Sequence, residues 1–325
     1  MSTTVDALKY LKSDALLKDN FIDYSNTSAF DKATDKAASW RWDKSQRLET
    51  DKAFIDHQFS DFLLRYGFKN VDAFKKFLTG VRTIAEIGAG EGRLVDWFLQ
   101  HSHKDTLIYA VEISDSVYYL KEKYRNEPRV TVIKADALNH PFIESSIDFL
   151  SCEQSIHHAP DPSAVFDSLC KALNKNSKVI ISVFAKKSPV REKFDTIIRD
   201  TISKLSNEKK YEISEKFTDI GKILSEIDVK LKVPAAAFEF GNLAGREMTI
   251  QRFFYYAIFK CFYNKDFTYE KSVEFTYDWY SYPVCNKTSL DELCNWFMKN
   301  EIAILHSDSN DSNVNLRGIM LSNLT

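Results

Sequence analysis

Through the middle of the chain, apolar runs of five or six residues alternate with amphipathic stretches, and each of the first four runs leads into an acid or a polar cluster. The first is Thr83-Ile84-Ala85-Glu86-Ile87, followed by Gly88-Ala89-Gly90-Glu91-Gly92-Arg93 and then by Leu94, Val95, Phe98 and Leu99 at 3.6-residue spacing. Residues 107–111 end in Glu112, and residues 130–135 end in Asp136-Ala137. Residues 147–152 open into Glu153-Gln154-Ser155-Ile156-His157-His158, and 179–184 form a fifth run. Strand-length apolar runs separated by helical stretches predict a parallel sheet with helices on both faces.

Either side of this core the pattern changes. Residues 1–80 read as helical, with Leu8, Leu11, Leu16 and Leu17, and then Phe54, Phe59, Phe62, Leu63 and Leu64. Near the other end, residues 289–297 form a helix that Ser289 and Glu292 would cap as a box, 302–305 a sixth strand, and 314–321 a seventh, with a polar turn at 307–313. Roughly 100 residues, 187–287, are therefore inserted after the fifth strand. Their first part, 191–227, is mostly charged helix. Their second part carries Phe253, Phe254, Tyr255, Tyr256, Phe259, Phe262 and Tyr263, a stripe that reads as core or homodimer contact ahead of a ligand box. Three parts follow: 1–80, a helical segment; 81–186 with 288–325, the sheet; and 187–287, an inserted substrate or oligomerisation subdomain.

The glycine loop is the chemical signal. At Gly88 and Gly90 the backbone can turn off the strand and approach a ligand where a Cβ would intrude, and Gly92 lets the next helix pack close. A nicotinamide fingerprint would need glycine where Arg93 stands, and a P-loop would need Lys-Ser or Lys-Thr after the last glycine. Glu86 suits a ligand with a cationic ammonium better than a pyrophosphate. Glu112, 24 positions after Gly88, is placed to take both hydroxyls of a ribose, and Asp136 to accept from an adenine amino group. All lie at the carboxyl ends of predicted strands, where open α/β sheets bind ligands.

On these residues, from 83 to about 185, the chain resembles the class I S-adenosylmethionine-dependent methyltransferases. The resemblance implies a Rossmann-like seven-stranded α/β sheet with an antiparallel seventh strand, N-terminal helices over the cofactor cleft, and a large, mainly helical insertion after strand five. It implies S-adenosylmethionine as cofactor and S-adenosylhomocysteine as product. Glu86, Gly88, Ala89, Gly90, Gly92 and Arg93 would form the first motif, with Glu112 and Ile113, Asp136 and Ala137, and Glu153 and Gln154 completing the cofactor site. The segment from Ser155 to Pro162 looks like the family's His-x-x-Asp-Pro stretch. Residues 173–177 depart from the usual Lys-Pro-Gly-Gly turn. Phe275-Thr276-Tyr277-Asp278-Trp279-Tyr280-Ser281-Tyr282-Pro283 resembles the Phe-Asp-Trp-x-x-Pro signature of a subgroup often encoded among surface-glycan or secondary-metabolite genes, with Tyr277 in place of the phenylalanine and one extra residue before Pro283.

Composition narrows the partners. A net charge of −2 gives no general basic field for nucleic acid, so a nucleic-acid partner is not expected. Five widely spaced cysteines without a C-x-x-C pair fit reduced thiols and no structural zinc. No stretch approaches the roughly 20 apolar residues of a membrane span, and the start lacks a signal pattern, so a soluble, cytoplasmic protein is expected.

Methyl transfer is an in-line displacement whose main requirement is alignment, and no metal is needed. A hydroxyl acceptor must also lose a proton, and a neutral imidazole suits that task near pH 7. His158 and His157 are the candidate bases, with structural packing as the competing role. Tyr277, Asp278, Trp279 and Trp42 are candidate acceptor contacts, each also readable as a core anchor. The expected activity is methylation of a small-molecule acceptor, with a sugar, glycan or secondary-metabolite precursor favoured. The alternatives are a non-catalytic binding module and a protein or RNA methyltransferase.

Overall fold

The computed structural model describes residues 7–25, 32–45, 52–236, 240 and 243–321. Two compact units emerge, one formed by Met1–Ala185 with Thr288–Thr325 and the other by Lys186–Lys287.

In the first unit the predicted strands are β3 (Thr83–Ile87), β4 (Leu107–Glu112), β5 (Val130–Lys134), β6 (Ile147–Glu153), β7 (Leu173–Phe184), β10 (Ile302–Ser309) and β11 (Asn313–Met320). β3 to β7 run parallel, and β11 lies antiparallel between β7 and β10. Alternate residues serve opposite faces. Ala85, Tyr109, Val111 and Leu150 join one core cluster, while Ile84, Ile108, Ala110 and Phe149 join another. Burial on both faces is why these strands read as continuous apolar runs rather than as alternation.

Two differences from the sequence reading stand out here. Among the described residues the sheet has nine strands, because β1 (Leu17–Lys18) and β2 (Phe21–Asp23) add to its edge, β2 pairing parallel with β5. Residues 11–23 are therefore not helical as expected. Asp19 and Asn20, both at positive φ, make the two-residue turn that closes this hairpin. At 173–177 there is also no detached turn: β7 already begins at Leu173, with Asn176 at φ 60° and Ser177 Oγ donating to Ile147 O at 2.7 Å.

Helices α1 (Lys32–Ser45), α2 (Lys52–Arg65) and α3 (Val71–Phe77) lie between β2 and β3 in the chain. α4 (Arg93–His101), α5 (Ser116–Lys123) and α6 (Pro162–Lys171) connect its strands. α4 buries Leu94, Val95, Trp97 and Phe98. Asp161 caps α6 by accepting from Ala164 N at 3.0 Å, with Pro162 in the first turn, where its missing N–H costs nothing.

The second unit contains α7 (Pro189–Ile202), α8 (Asn207–Ser225), a two-stranded ribbon of β8 (Lys230–Lys232) and β9 (Glu247–Thr249), the short α9 (Ile250–Phe253) and α10 (Tyr269–Ser281). The aromatic stretch does not form the single helical stripe that its spacing predicts. After α9 the chain makes one π-helical turn over Phe254–Ile258 and is extended at Phe259. Packing explains the change. A Cβ at Gly221 on α8 would run into the Cys261 carbonyl, and the Tyr280 hydroxyl accepts from Lys260 N at 2.9 Å, so the extended segment is pressed against helix backbone. Back in the first unit, α11 (Leu290–Lys299) carries the predicted capping box, with Ser289 N donating to Glu292 Oε2 at 2.8 Å and Glu292 N to Ser289 Oγ at 3.2 Å.

Candidate active site

The turn after β3 is built tightly. Gly88 N and Ala89 N both donate to Val111 O, at 2.8 and 3.0 Å. Gly88 sits at φ +77°, and a Cβ there would strike the Ser155 side chain, whose hydroxyl donates to Ile87 O at 2.9 Å. Gly92 begins α4 at φ +84° with Tyr124 above it, so a side chain there has no room either. A loop held this close lets main chain, rather than side chains, face a ligand.

Three acids surround the loop. Glu112 accepts from Gly90 N and Ser114 N, each at 2.8 Å, one on each carboxylate oxygen. Each oxygen keeps a second lone pair, which a ribose hydroxyl can fill. Asp136 accepts from Leu138 N at 2.9 Å and lines a cleft with Gly88, Ile113, Ala137, Ser155 and His158. Glu86 is only 2 % exposed, and its Oε2 has no hydrogen-bond partner. Burial pushes its carboxyl well above the ordinary range. Ser151 and Arg93 pull it back in part, while Glu153 and Glu112 add to the rise. A buried carboxylate oxygen without a donor is costly in the free protein and is relieved by a cationic or donating ligand group.

The remaining candidates separate. Arg93 Nη1 donates to Gln58 Oε1 at 2.6 Å, and its guanidinium lies 5.7 Å from the Trp97 ring centroid. Ala89 is buried in the loop. Glu153 is engaged on both oxygens, by Arg65 Nη1 at 2.5 Å and by the Tyr66 hydroxyl, while Gln154 is exposed at φ +52°. Of the histidines, His158 lines the cleft, and His157 is fully buried with its ring 3.8 Å from that of Phe184. Tyr277 and Trp279 are buried on α10, and Trp279 Nε1 donates to Asp195 Oδ2 at 2.9 Å. Asp278, between them, is half-buried. Trp42 falls within α1, but its side chain lies outside the described residues.

Sequence reasoning missed Thr34 of α1, which lines the cleft and whose hydroxyl donates to His158 O at 3.5 Å. No local signal marks it. Ser155, the residue that a Cβ at Gly88 would strike, stood inside the cluster after β6 and was readable as a loop neighbour. Among the described residues no group of three His, Cys, Asp or Glu side chains is placed to hold a metal, and no helix is long and apolar enough to cross a membrane.

Residues 85–181 match the family model described as "Methyltransferase domain". A curated relative, phosphoethanolamine N-methyltransferase 2 of Caenorhabditis elegans, is 25 % identical over 224 residues, covering 63 % of this chain and 49 % of its own. The chain thus spans about half the length of that relative. Among solved structures, a SAM-dependent methyltransferase from Aquifex aeolicus aligns over 84 % of this chain and 100 % of its own, at 12 % identity and a TM-score of 0.42. The 1,6-didemethyltoxoflavin-N1-methyltransferase of Burkholderia thailandensis, with bound 1,6-didemethyltoxoflavin and S-adenosylhomocysteine, aligns over 91 % of this chain and 93 % of its own at 12 % identity and a TM-score of 0.43.

Residues 85–181 are thus similar to a methyltransferase domain, and the strand order and the glycine loop are those expected from the resemblance to the class I S-adenosylmethionine-dependent methyltransferases. S-adenosylmethionine is the cofactor that this resemblance implies. The built loop fits that molecule, because the orphaned Glu86 oxygen, the two-handed Glu112 and the space a Cβ would fill at Gly88 match an ammonium, a ribose and a close backbone approach.

Proposed function

We propose that the protein methylates a small-molecule acceptor, with a sugar, glycan precursor or secondary-metabolite precursor as the favoured class. The observation that carries this reading is the pairing, in one cleft, of the Gly88 loop and Asp136 with His158. Bound S-adenosylmethionine supplies an electrophilic methyl group on a sulfonium. Glu86 would hold its ammonium, Glu112 its ribose and Asp136 its adenine, so that these acids fix orientation. Positioning of this kind can supply about 7–11 kcal/mol of a barrier, which makes it the principal contribution of the chain. His158 would accept the proton of a hydroxyl acceptor, and His157, packed on Phe184, would support the His158 loop. Residues 1–80 would cover the cofactor cleft, and 187–287 would contribute to acceptor recognition or to a homodimer. A cytoplasmic setting fits the five unpaired cysteines.

The test is release of S-adenosylhomocysteine with a panel of sugar nucleotides, secondary-metabolite phenols, phosphoethanolamine, a peptide mixture and RNA. Phosphoethanolamine belongs there because the curated relative is named for it. Turnover confined to the small molecules supports the reading, and turnover confined to peptide or RNA overturns it. With a hydroxyl acceptor, His158→Ala is expected to lower kcat by about 10²–10⁴-fold while leaving S-adenosylhomocysteine affinity unchanged. An unchanged kcat removes the base role.

A further inference from the structure

Two carboxylates of the sheet unit stand on one face of neighbouring strands. Glu86 of β3 is in register with Ser151 of β6, and Glu153 follows Ser151 by two positions, so both acids lie on the face that also carries Ile84 and Phe149. Both are buried. Their surroundings differ. Glu153 Oε1 accepts from Arg65 Nη1 at 2.5 Å, and Oε2 accepts from the Tyr66 hydroxyl. Arg65 is fixed in turn, because its Nε donates to Asp61 Oδ2 at 2.7 Å and its Nη1 reaches Asn315 Oδ1 at 3.4 Å. Glu86 has no such support. Among the described residues its Oε2 has no donor, and no ion pair reaches it.

The charges set where a proton must sit. An interior accepts one carboxylate beside one guanidinium, whereas a second carboxylate without a cation takes up a proton. Glu153 holds the donors, so the proton belongs on Glu86. The other groups that face Glu86 do not reverse this. From β4, Glu112 adds negative charge. From β6, Ser151 is neutral, and so is the Cys152 thiol, which burial pushes up to about 12. From α4, Arg93 draws the acid down, but its Nη1 is turned to Gln58. Burial, with Glu153 and Glu112 behind it, outweighs Ser151 and Arg93, and the Glu86 carboxyl stands well above its ordinary range.

On the reading of Glu86 as the ammonium contact, we propose that Glu153, held by Arg65 and Tyr66, is a positioning residue for the cofactor site: it keeps a proton on Glu86 in the free protein, and Glu86 releases that proton as it accepts the ligand's ammonium. The exchange balances. The Glu86 O–H bond breaks and its proton passes to the buffer, while the ammonium keeps its own protons and replaces the lost one as the neutralising charge. Glu86 and its partner are therefore neutral together whether the site is empty or filled. Because the filled site holds fewer protons than the empty one, binding should strengthen as the pH rises toward the Glu86 value.

The test is calorimetric titration of the full chain with S-adenosylhomocysteine near pH 6.5, where an ordinary glutamate is already ionised, in two buffers of different ionisation enthalpy. Release of about one proton per ligand is expected, with affinity rising about tenfold per pH unit around that point. Difference infrared spectra should show a protonated-carboxyl band that disappears on binding and is missing from Glu86→Gln. Glu153→Gln leaves Arg65 without its buried partner, so that Glu86 ionises in the free protein. That variant should bind S-adenosylhomocysteine at least about tenfold more weakly and release no proton. A Glu153 that merely anchored the end of α2 would leave the proton release unchanged. The parent's proton release and infrared band decide the matter even where Glu153→Gln does not fold. No binding by the parent chain overturns the reading of the loop as a cofactor seat, and this inference with it. Binding without proton release, or release retained in folded Glu153→Gln, overturns this inference and leaves that reading standing.

Discussion

The sheet unit and the insertion both gather ionisable groups in their interiors, but with opposite sign and by different means. In the sheet unit, acids at the ends of β3 and β4, and just beyond β5, stand round a loop whose amides do much of the holding. Glu112 takes the Gly90 amide of that loop and the Ser114 amide after β4, and Glu86 is left with an oxygen that nothing satisfies among the described residues. In the insertion, cations from α7, the extended segment after α9 and the end of the unit converge on one indole, that of Trp279, and Asp195 takes two of them, Arg191 and Lys287, together with the indole N–H. A carboxylate site prepared by backbone favours a ligand that brings a cation and hydroxyls. The contrast also separates two kinds of fragility: steric in the loop, electrostatic in the insertion.

The largest effect should come from filling the loop. Gly88→Arg places a side chain at φ +77° and into Ser155, and is expected to abolish S-adenosylhomocysteine binding in a calorimetric titration. Retained affinity would mean that the loop does not face the ligand. Next in size is the insertion's aspartate. Asp195→Asn leaves Arg191 without its buried counter-charge and Lys287 with Glu192 alone, and should cost about 3–5 kcal/mol in denaturant unfolding of the insertion. Acid unfolding gives the sign. Burial alone would raise the Asp195 carboxyl, but Arg191 and Lys287 win and hold it at about 2, below its ordinary 3.8. A depressed folded-state value contributes stability that is complete above 3.8 and drains away as the pH falls through about 2. In the variant, stability should therefore change less over that range, and an acid limb like that of the parent would contradict the assignment. Smallest of the three is Glu112→Ala, which removes the acceptor for Gly90 N and Ser114 N as well as the proposed ribose contact. It should weaken S-adenosylhomocysteine binding roughly ten- to a hundredfold, in keeping with about 1.5–3 kcal/mol for a charged hydrogen bond.

The same contrast explains what could be read from the chain alone. The cofactor loop is local: Glu86 to Arg93 is eight consecutive residues, and the acids that join it close the next two apolar runs. Strand ends and loop residues were thus legible from order and spacing. The Glu153 arrangement was not, because its partners Arg65 and Tyr66 lie 88 and 87 positions earlier on α2 and just after it. Leucines at 8, 11, 16 and 17 fit a helical period, and only the Asp19-Asn20 turn betrays the hairpin that two of them flank or enter. The cation cluster joins 187, 191, 260, 279 and 287, and no spacing rule links those positions before α7 and α10 pack. Tyr277 and Trp279, readable from the sequence either as acceptor contacts or as core anchors, are buried on α10.

The most direct test of the central claim, that the turn after β3 is a seat for S-adenosylmethionine, is a calorimetric titration of the unaltered chain with S-adenosylhomocysteine and, in parallel, with a nicotinamide dinucleotide. Saturable one-to-one binding of S-adenosylhomocysteine and no heat from the dinucleotide is the predicted result. Binding of the dinucleotide, or of neither compound, would contradict the account.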